Sequence, residues 1–93
     1  MKESTIENDI LQYLNYMGGY FWRTHDSKHR PCTPGIPDIM GVLDGKFYAI
    51  EVKKPGGKMA KEQDAFFERI RQHGAVCAVA QSVRDAQVII SED

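Results

Sequence analysis

The stretch that decides the fold is Pro37-Asp38-Ile39-Met40-Gly41-Val42-Leu43-Asp44-Gly45-Lys46-Phe47-Tyr48-Ala49-Ile50-Glu51-Val52-Lys53. Asp44-Gly45 is a two-residue hairpin signal between runs rich in apolar, β-branched and aromatic residues. The flanking runs read as antiparallel strands whose register the turn fixes. Leu43 then faces Lys46, and outward in step Asp38 falls opposite Glu51. Directly opposed residues share a face, with Cβ atoms about 4.5–5.5 Å apart. Lys53, two residues past Glu51, points to that face too.

The hairpin therefore brings two carboxylates and an ammonium together at its open end. Opposed like charges destabilise a sheet unless something compensates them. Ile50-Glu51-Val52 also places a carboxylate inside an apolar strand, where an unpaired charge is costly. A divalent cation is the natural compensation. Oxygen ligands in this arrangement suit Mg²⁺, which binds through one or two carboxylates plus substrate phosphate. The ammonium beside it would hold or deprotonate a water, or steady charge on a phosphate. The bland alternative is a pair of solvated strand-end charges with Lys53 as a salt-bridge partner.

Upstream, Ser4 reads as an N-cap and Glu7 as the capping-box partner three residues on. Ile6, Ile10, Leu11, Leu14 and Met17 follow at helical spacing. Gly18-Gly19 stops this helix, and Tyr20–Thr24 reads as a short strand. Residues 25–37 form a loop punctuated by Pro31, Pro34, Gly35 and Pro37. Its length is that of a functional loop.

Downstream, Pro55-Gly56-Gly57 breaks the second hairpin strand. Ala60–His73 reads as a helix with Ala65, Phe66, Arg69 and Ile70 inward and Gly74 as its stop. Ala75–Ala80 is an apolar strand expected to be buried on both faces. Ser82 caps a last helix whose Val88-Ile89-Ile90 closes the core. The order α-β-β-β-α-β-α makes the fold class α/β, with a mixed sheet flanked by helices.

The chain has 93 residues, a formal charge of −1, 42% hydrophobic and 27% charged residues. That describes one globular domain over residues 1–93, and excludes a disordered tail or a DNA wrapper acting by bulk positive charge. Two cysteines, Cys32 and Cys77, are too few for a disulfide scaffold. The first residues, Met1-Lys2-Glu3-Ser4, carry no apolar signal region, and the longest apolar run, Ala75–Ala80, is too short for a membrane span. A cytoplasmic location with reduced thiols is expected. The charge is unevenly spread. Residues 46–61 carry Lys46, Lys53, Lys54, Lys58 and Lys61 against Glu51, and residues 20–37 carry Arg23, Lys28 and Arg30 against Asp26. A local basic surface for a phosphate backbone is thus compatible with a neutral whole.

Pro37-Asp38 followed by Glu51-Val52-Lys53 matches the PD-(D/E)xK signature of restriction-endonuclease-like nucleases. With Gly35-Ile36 before it, Lys54-Pro55-Gly56-Gly57 after it, Gln63 in the next helix and Glu7 in the first, the chain resembles the VRR-NUC group over roughly residues 4–90. The resemblance implies a restriction-endonuclease-like core. It implies that Asp38, Glu51, Glu7 and the Val52 carbonyl hold Mg²⁺, with Mn²⁺ able to substitute. It assigns catalysis to Asp38, Glu51, Lys53 and Gln63. The implied activity is hydrolysis of phosphodiesters in branched DNA, such as four-way junctions, leaving 5′-phosphate and 3′-hydroxyl ends. Symmetric cutting of a junction favours a C₂ homodimer, with helix 1 and its aromatic neighbours or the 25–37 loop as the interface.

Lys28, Arg30, Lys54, Lys58 and Lys61 are the candidate DNA contacts. The alternatives are a non-catalytic DNA-binding subunit of the same fold, or a nicking nuclease acting on linear or flap DNA. Glu7 has a bland reading as the capping-box residue alone, and Gln63 as a surface helix residue. His25, His29 and Cys32, with distant Cys77, offer a weak zinc pattern, and either histidine is a possible phosphate contact. Tyr20, Phe21 and Trp22 read as core or interface rather than a base-stacking platform.

Overall fold

The computed structural model of the chain describes residues 2–25 and 33–92. The elements run α1 (Glu3–Tyr16), β1 (Tyr20–Arg23), β2 (Ile39–Leu43), β3 (Lys46–Val52), α2 (Lys61–Arg71), β4 (Val76–Ala80) and α3 (Val83–Ser91). This is the α/β order read from the sequence. The four strands form one mixed sheet in the order β1-β2-β3-β4. β1–β2 and β2–β3 are antiparallel, and β3–β4 is parallel.

The hairpin register is the expected one, from Leu43↔Lys46 out to Ile39↔Ile50, so Asp38 and Glu51 are next in line. Asp44 (φ 52°) and Gly45 (φ 79°) both take positive φ, as a type I′ turn requires. β3 is one of the two inner strands, with β2, and its Tyr48 through Val52 are all buried. Ile39, Tyr48, Ile50 and Val52 from the sheet meet Ile6, Ile10 and Leu14 of α1, Phe21 of β1 and Ala86 of α3 in a single core. Asn15 ties α1 to β1: its Oδ1 accepts from the Phe21 N–H at 2.8 Å, and its Nδ2 donates to the Phe21 carbonyl at 3.2 Å.

Four local expectations change. α1 begins at Glu3 with Lys2 at the N-cap and no side-chain cap. Ser4 and Glu7 therefore do not form a capping box, because Glu7 is drawn into tertiary contacts. The buried residue of α2 is Phe67, with Gln63, Phe66 and Ile70 half-buried, while Ala65 and Arg69 are exposed. The inner stripe follows the 63, 67, 70 spacing. β4 is an edge strand, so only Ala80 is fully buried and Val79 is exposed. In α3, Ser82 caps as expected, its Oγ accepting from the Asp85 N–H at 3.2 Å. Val88, however, is exposed, and the core contacts come from Ala86, Ile89 and Ile90. Among the described residues, no helix is long and apolar enough to cross a membrane.

Candidate active site

The open end of the β2–β3 hairpin is assembled from four further pieces of chain. Thr24 extends the β1–β2 pairing: its N–H donates to the Asp38 carbonyl at 3.0 Å, and its hydroxyl donates to the Pro37 carbonyl. This pins the chain entering β2 and sets His25 beside Asp38. The Asp38 carboxylate is held from two sides. Its Oδ2 accepts from the Val52 N–H at 2.9 Å, and its Oδ1 lies 2.9 Å from His25 Nε2.

Glu7 enters from α1 and is 7% exposed. Its Oε2 pairs with Arg23 Nε at 2.7 Å, and its Oε1 lies 3.4 Å from His25 Nε2. Arg23 also donates to Asn8 Oδ1 at 3.1 Å, so one guanidinium at the end of β1 fixes two side chains of α1. Burial pushes the Glu7 carboxyl above the usual carboxylate range. Asp38 adds to the rise, while His25 and Arg23 oppose it.

Glu51 is the least ordinary group. It is 3% exposed. Its Oε2 accepts from Gln63 Nε2 at 2.7 Å and pairs with Lys53 Nζ at 3.3 Å. Its Oε1 is buried without a hydrogen-bond partner. Burial, and then the charge of Asp38, raise the carboxyl from 4.5 to about 7 against the pull of Lys53. Gln63 bridges α2 to the site: its Oε1 accepts from the Ala60 N–H at 2.8 Å, orienting the amide whose nitrogen meets Glu51.

Gly35 brings the 33–37 segment against α2. With φ 78°, its position would put a Cβ 2.0 Å from the Glu62 carbonyl oxygen. A cleft of about 450 Å³ opens between this segment and α2, with His25, Asp38 and Gln63 in its wall.

Of the residues singled out from the sequence, Glu7, Asp38, Glu51, Lys53 and Gln63 thus stand at one site. The Val52 N–H holds Asp38 there. Lys54, Lys58 and Lys61 are exposed along the chain that follows Lys53. Lys28, Arg30, His29 and Cys32 lie outside the described residues. Of the zinc pattern, His25 groups with Glu7 and Asp38 instead, and Cys77 belongs to no metal-holding group among the described residues. Cys77 sits on β4 with its Sγ near the Phe67 carbonyl, and burial pushes its thiol up. The sequence reading missed the Arg23–Glu7 pair and the His25–Asp38 contact. Both residues lie at the end of a strand, where alternation no longer says which way a side chain points.

Glu51 keeps a buried carboxylate oxygen without a hydrogen-bond partner next to Asp38, and Glu7, His25 and Asp38 each offer a donor atom, all within 4.8 Å of one another. The donor set therefore fits a divalent cation. The model of the VRR-NUC domain matches residues 2–84. A solved structure described as a VRR_NUC domain superposes with a TM-score of 0.75 at 25% sequence identity, covering 97% of this chain and 95% of that one. No curated protein matches significantly. The match over most of the chain, on a fold that shares its architecture with that solved domain, places the protein in the VRR-NUC family of DNA-processing nuclease domains.

Proposed function

We propose that this chain is a metal-dependent, structure-selective endodeoxyribonuclease that hydrolyses phosphodiesters in branched DNA, four-way junctions foremost, as a C₂ homodimer. One observation carries the reading: Glu51, buried with an oxygen unpartnered, stands next to Asp38 and 3.3 Å from the Lys53 ammonium. A folded protein keeps such a charge where chemistry needs it.

Asp38, Glu51, Glu7 and the Val52 carbonyl are the residues that would hold the metal, Mg²⁺ or Mn²⁺. The metal supplies Lewis acidity toward a phosphate oxygen and a more acidic water. The protein's own groups supply position. The Val52 N–H and the Arg23 guanidinium each anchor one oxygen of a carboxylate, fixing where the other points. Gln63 holds the Glu51 carboxylate against α2. Lys53 Nζ donates hydrogen bonds to the attacking water and to the phosphate oxygen on which charge grows. Water attacks phosphorus as the P–O3′ bond breaks, one water proton passing to solvent and the departing 3′ oxygen taking one from solvent, which leaves 5′-phosphate and 3′-hydroxyl ends.

Exposed Lys54, Lys58 and Lys61 form a phosphate track leading from the site, with Lys28 and Arg30 as further DNA contacts. The dimer interface we assign to the exposed apolar patch of Tyr16 and Met17 at the end of α1, with Tyr20, Trp22 and Val42 on the adjoining strands. Tyr20 lies opposite Val42, so the patch is continuous across β1 and β2.

The test is a panel of junction, flap, nicked and linear DNA incubated with Mg²⁺, Mn²⁺ or EDTA. Junction cleavage that needs metal and is lost in Asp38→Ala and Lys53→Ala is expected. Junction binding with every strand intact would make the protein a DNA-binding subunit instead. Preferential nicking of linear or flap DNA would replace the junction assignment.

A further inference from the structure

We infer that His25 completes a Glu7–His25–Asp38 site whose mixed nitrogen and oxygen donors take a first-row transition-metal dication in preference to Mg²⁺. The inference rests on the nuclease reading only in taking Glu7 and Asp38 as metal-holding carboxylates. It adds a nitrogen ligand and a metal preference.

The geometry converges on the imidazole. His25 Nε2 lies 2.9 Å from Asp38 Oδ1 and 3.4 Å from Glu7 Oε1, and the three donor atoms all fall within 4.8 Å of one another. Ligands about 2.1 Å from an octahedral cation stand about 3 Å apart when adjacent, so these separations suit a shared ion. Each carboxylate is already fastened by its far oxygen: Asp38 Oδ2 to the Val52 N–H, and Glu7 Oε2 to Arg23. The near oxygens are thereby turned toward Nε2. His25 is itself placed by Thr24, whose N–H and hydroxyl both bind the backbone at Pro37 and Asp38.

A second observation points to a missing cation at the same place. Asp38 also neighbours Glu51, whose Oε1 is buried and unpartnered. An ion at Asp38 would therefore relieve both clusters. Imidazole nitrogen favours first-row transition ions, whereas Mg²⁺ prefers oxygen ligands and retained water. A nitrogen donor in the ligand set thus biases the site toward first-row transition ions over Mg²⁺; Mn²⁺, the weakest binder of that row, is the spectroscopic probe of the bias.

The experiment is metal binding to the full chain without DNA. Free Mn²⁺ is counted by electron paramagnetic resonance, with Mg²⁺ as competitor, in the wild type and in His25→Gln. The bound Mn²⁺ of the wild type is also examined for spin-echo modulation by a directly coordinated ¹⁴N nucleus. Expected are ¹⁴N modulation, and Mn²⁺ affinity lower by about tenfold in His25→Gln with Mg²⁺ affinity nearly unchanged. Bound Mn²⁺ without ¹⁴N modulation overturns the inference. So does a folded His25→Gln chain, checked by circular dichroism, that binds Mn²⁺ like the wild type. The nitrogen signal is read on the wild type, so the test survives a variant that fails to fold. Loss of the nuclease reading through absent cleavage would leave the nitrogen signal standing, and the two failures are distinguishable.

Discussion

At its closed end the β2–β3 hairpin turns on two residues, Asp44 and Gly45, which lie at the surface and depend on little beyond their own backbone angles. At its open end, His25 just after β1 and the Val52 N–H hold Asp38, Gln63 of α2 and Lys53 beyond β3 hold Glu51, and Arg23 at the end of β1 fixes Glu7 of α1 beside them. The closed end satisfies a local steric rule. The open end collects charge that the fold alone does not need, at a cost met by the core around it. Substitutions should therefore weaken the two ends in different currencies: at the open end function falls while stability can rise, and at the closed end stability falls while function stays.

The largest contrast is expected for Glu51→Gln. The amide keeps the shape and the Gln63 contact but removes the buried charge. Cleavage of junction DNA should fall by about 100-fold or more, because even outer partners of metal ligands cost roughly 10- to 100-fold. The metal-free variant should nevertheless be more stable than the wild type at pH 8, by up to on the order of 3 kcal/mol. Urea denaturation in EDTA measures the second effect. A variant both inactive and less stable at pH 8 would mean that the Glu51 charge supports the fold.

The same charge sets a pH dependence opposite to that of most paired carboxylates. The Glu51 carboxyl titrates at about 7 in the fold against 4.5 in the unfolded chain. Between those values the folded state binds more protons than the unfolded state, so unfolding free energy decreases as pH rises. The metal-free protein should be most stable near pH 5 and lose on the order of 3 kcal/mol by pH 8. Glu7, raised for the same first reason, adds in the same direction. Glu51→Gln should flatten most of this slope. A stability that climbs from pH 5 to pH 8 would contradict the burial argument at the site.

How far the sequence reveals each end follows from the same contrast. The turn, the register and the opposition of Asp38 and Glu51 were legible because two-residue hairpins and strand alternation are local rules. The α/β order was legible from periodicity, as was the Ser82 cap. Glu7, Asp38, Glu51, Lys53 and Gln63 were picked out by motif, which names residues without saying who holds them. Arg23 and His25 were not legible, since their roles exist only once β1 lies between α1 and β2. The capping box at Ser4 failed for a related reason: Arg23 and His25, distant in sequence, compete for the Glu7 carboxylate and win. The two-sided burial expected of β4 failed because composition does not say that the strand is last in its sheet.

The smallest effects come from two glycines with nearly the same backbone and different surroundings. Gly35 has φ 78° and Gly45 φ 79°. A Cβ at residue 45 meets nothing within 4 Å, whereas one at residue 35 would stand 2.0 Å from the Glu62 carbonyl oxygen. Both Gly→Ala changes incur the left-handed backbone cost of about 1–2 kcal/mol. Gly35→Ala adds a clash with the first turn of α2, which raises its expected total to about 2–3 kcal/mol. That clash must move either the 33–37 segment or the turn carrying Gln63, so cleavage should fall with stability. Gly45→Ala should lower stability by its backbone cost alone and leave cleavage of junction DNA within about twofold of wild type once folded. Measuring melting midpoint and turnover for both variants separates the ends directly. If Gly45→Ala impaired turnover as much as Gly35→Ala, the two ends of the hairpin would be mechanically coupled. The site would then depend on the whole length of β2 and β3 rather than on the pieces of chain gathered at its mouth.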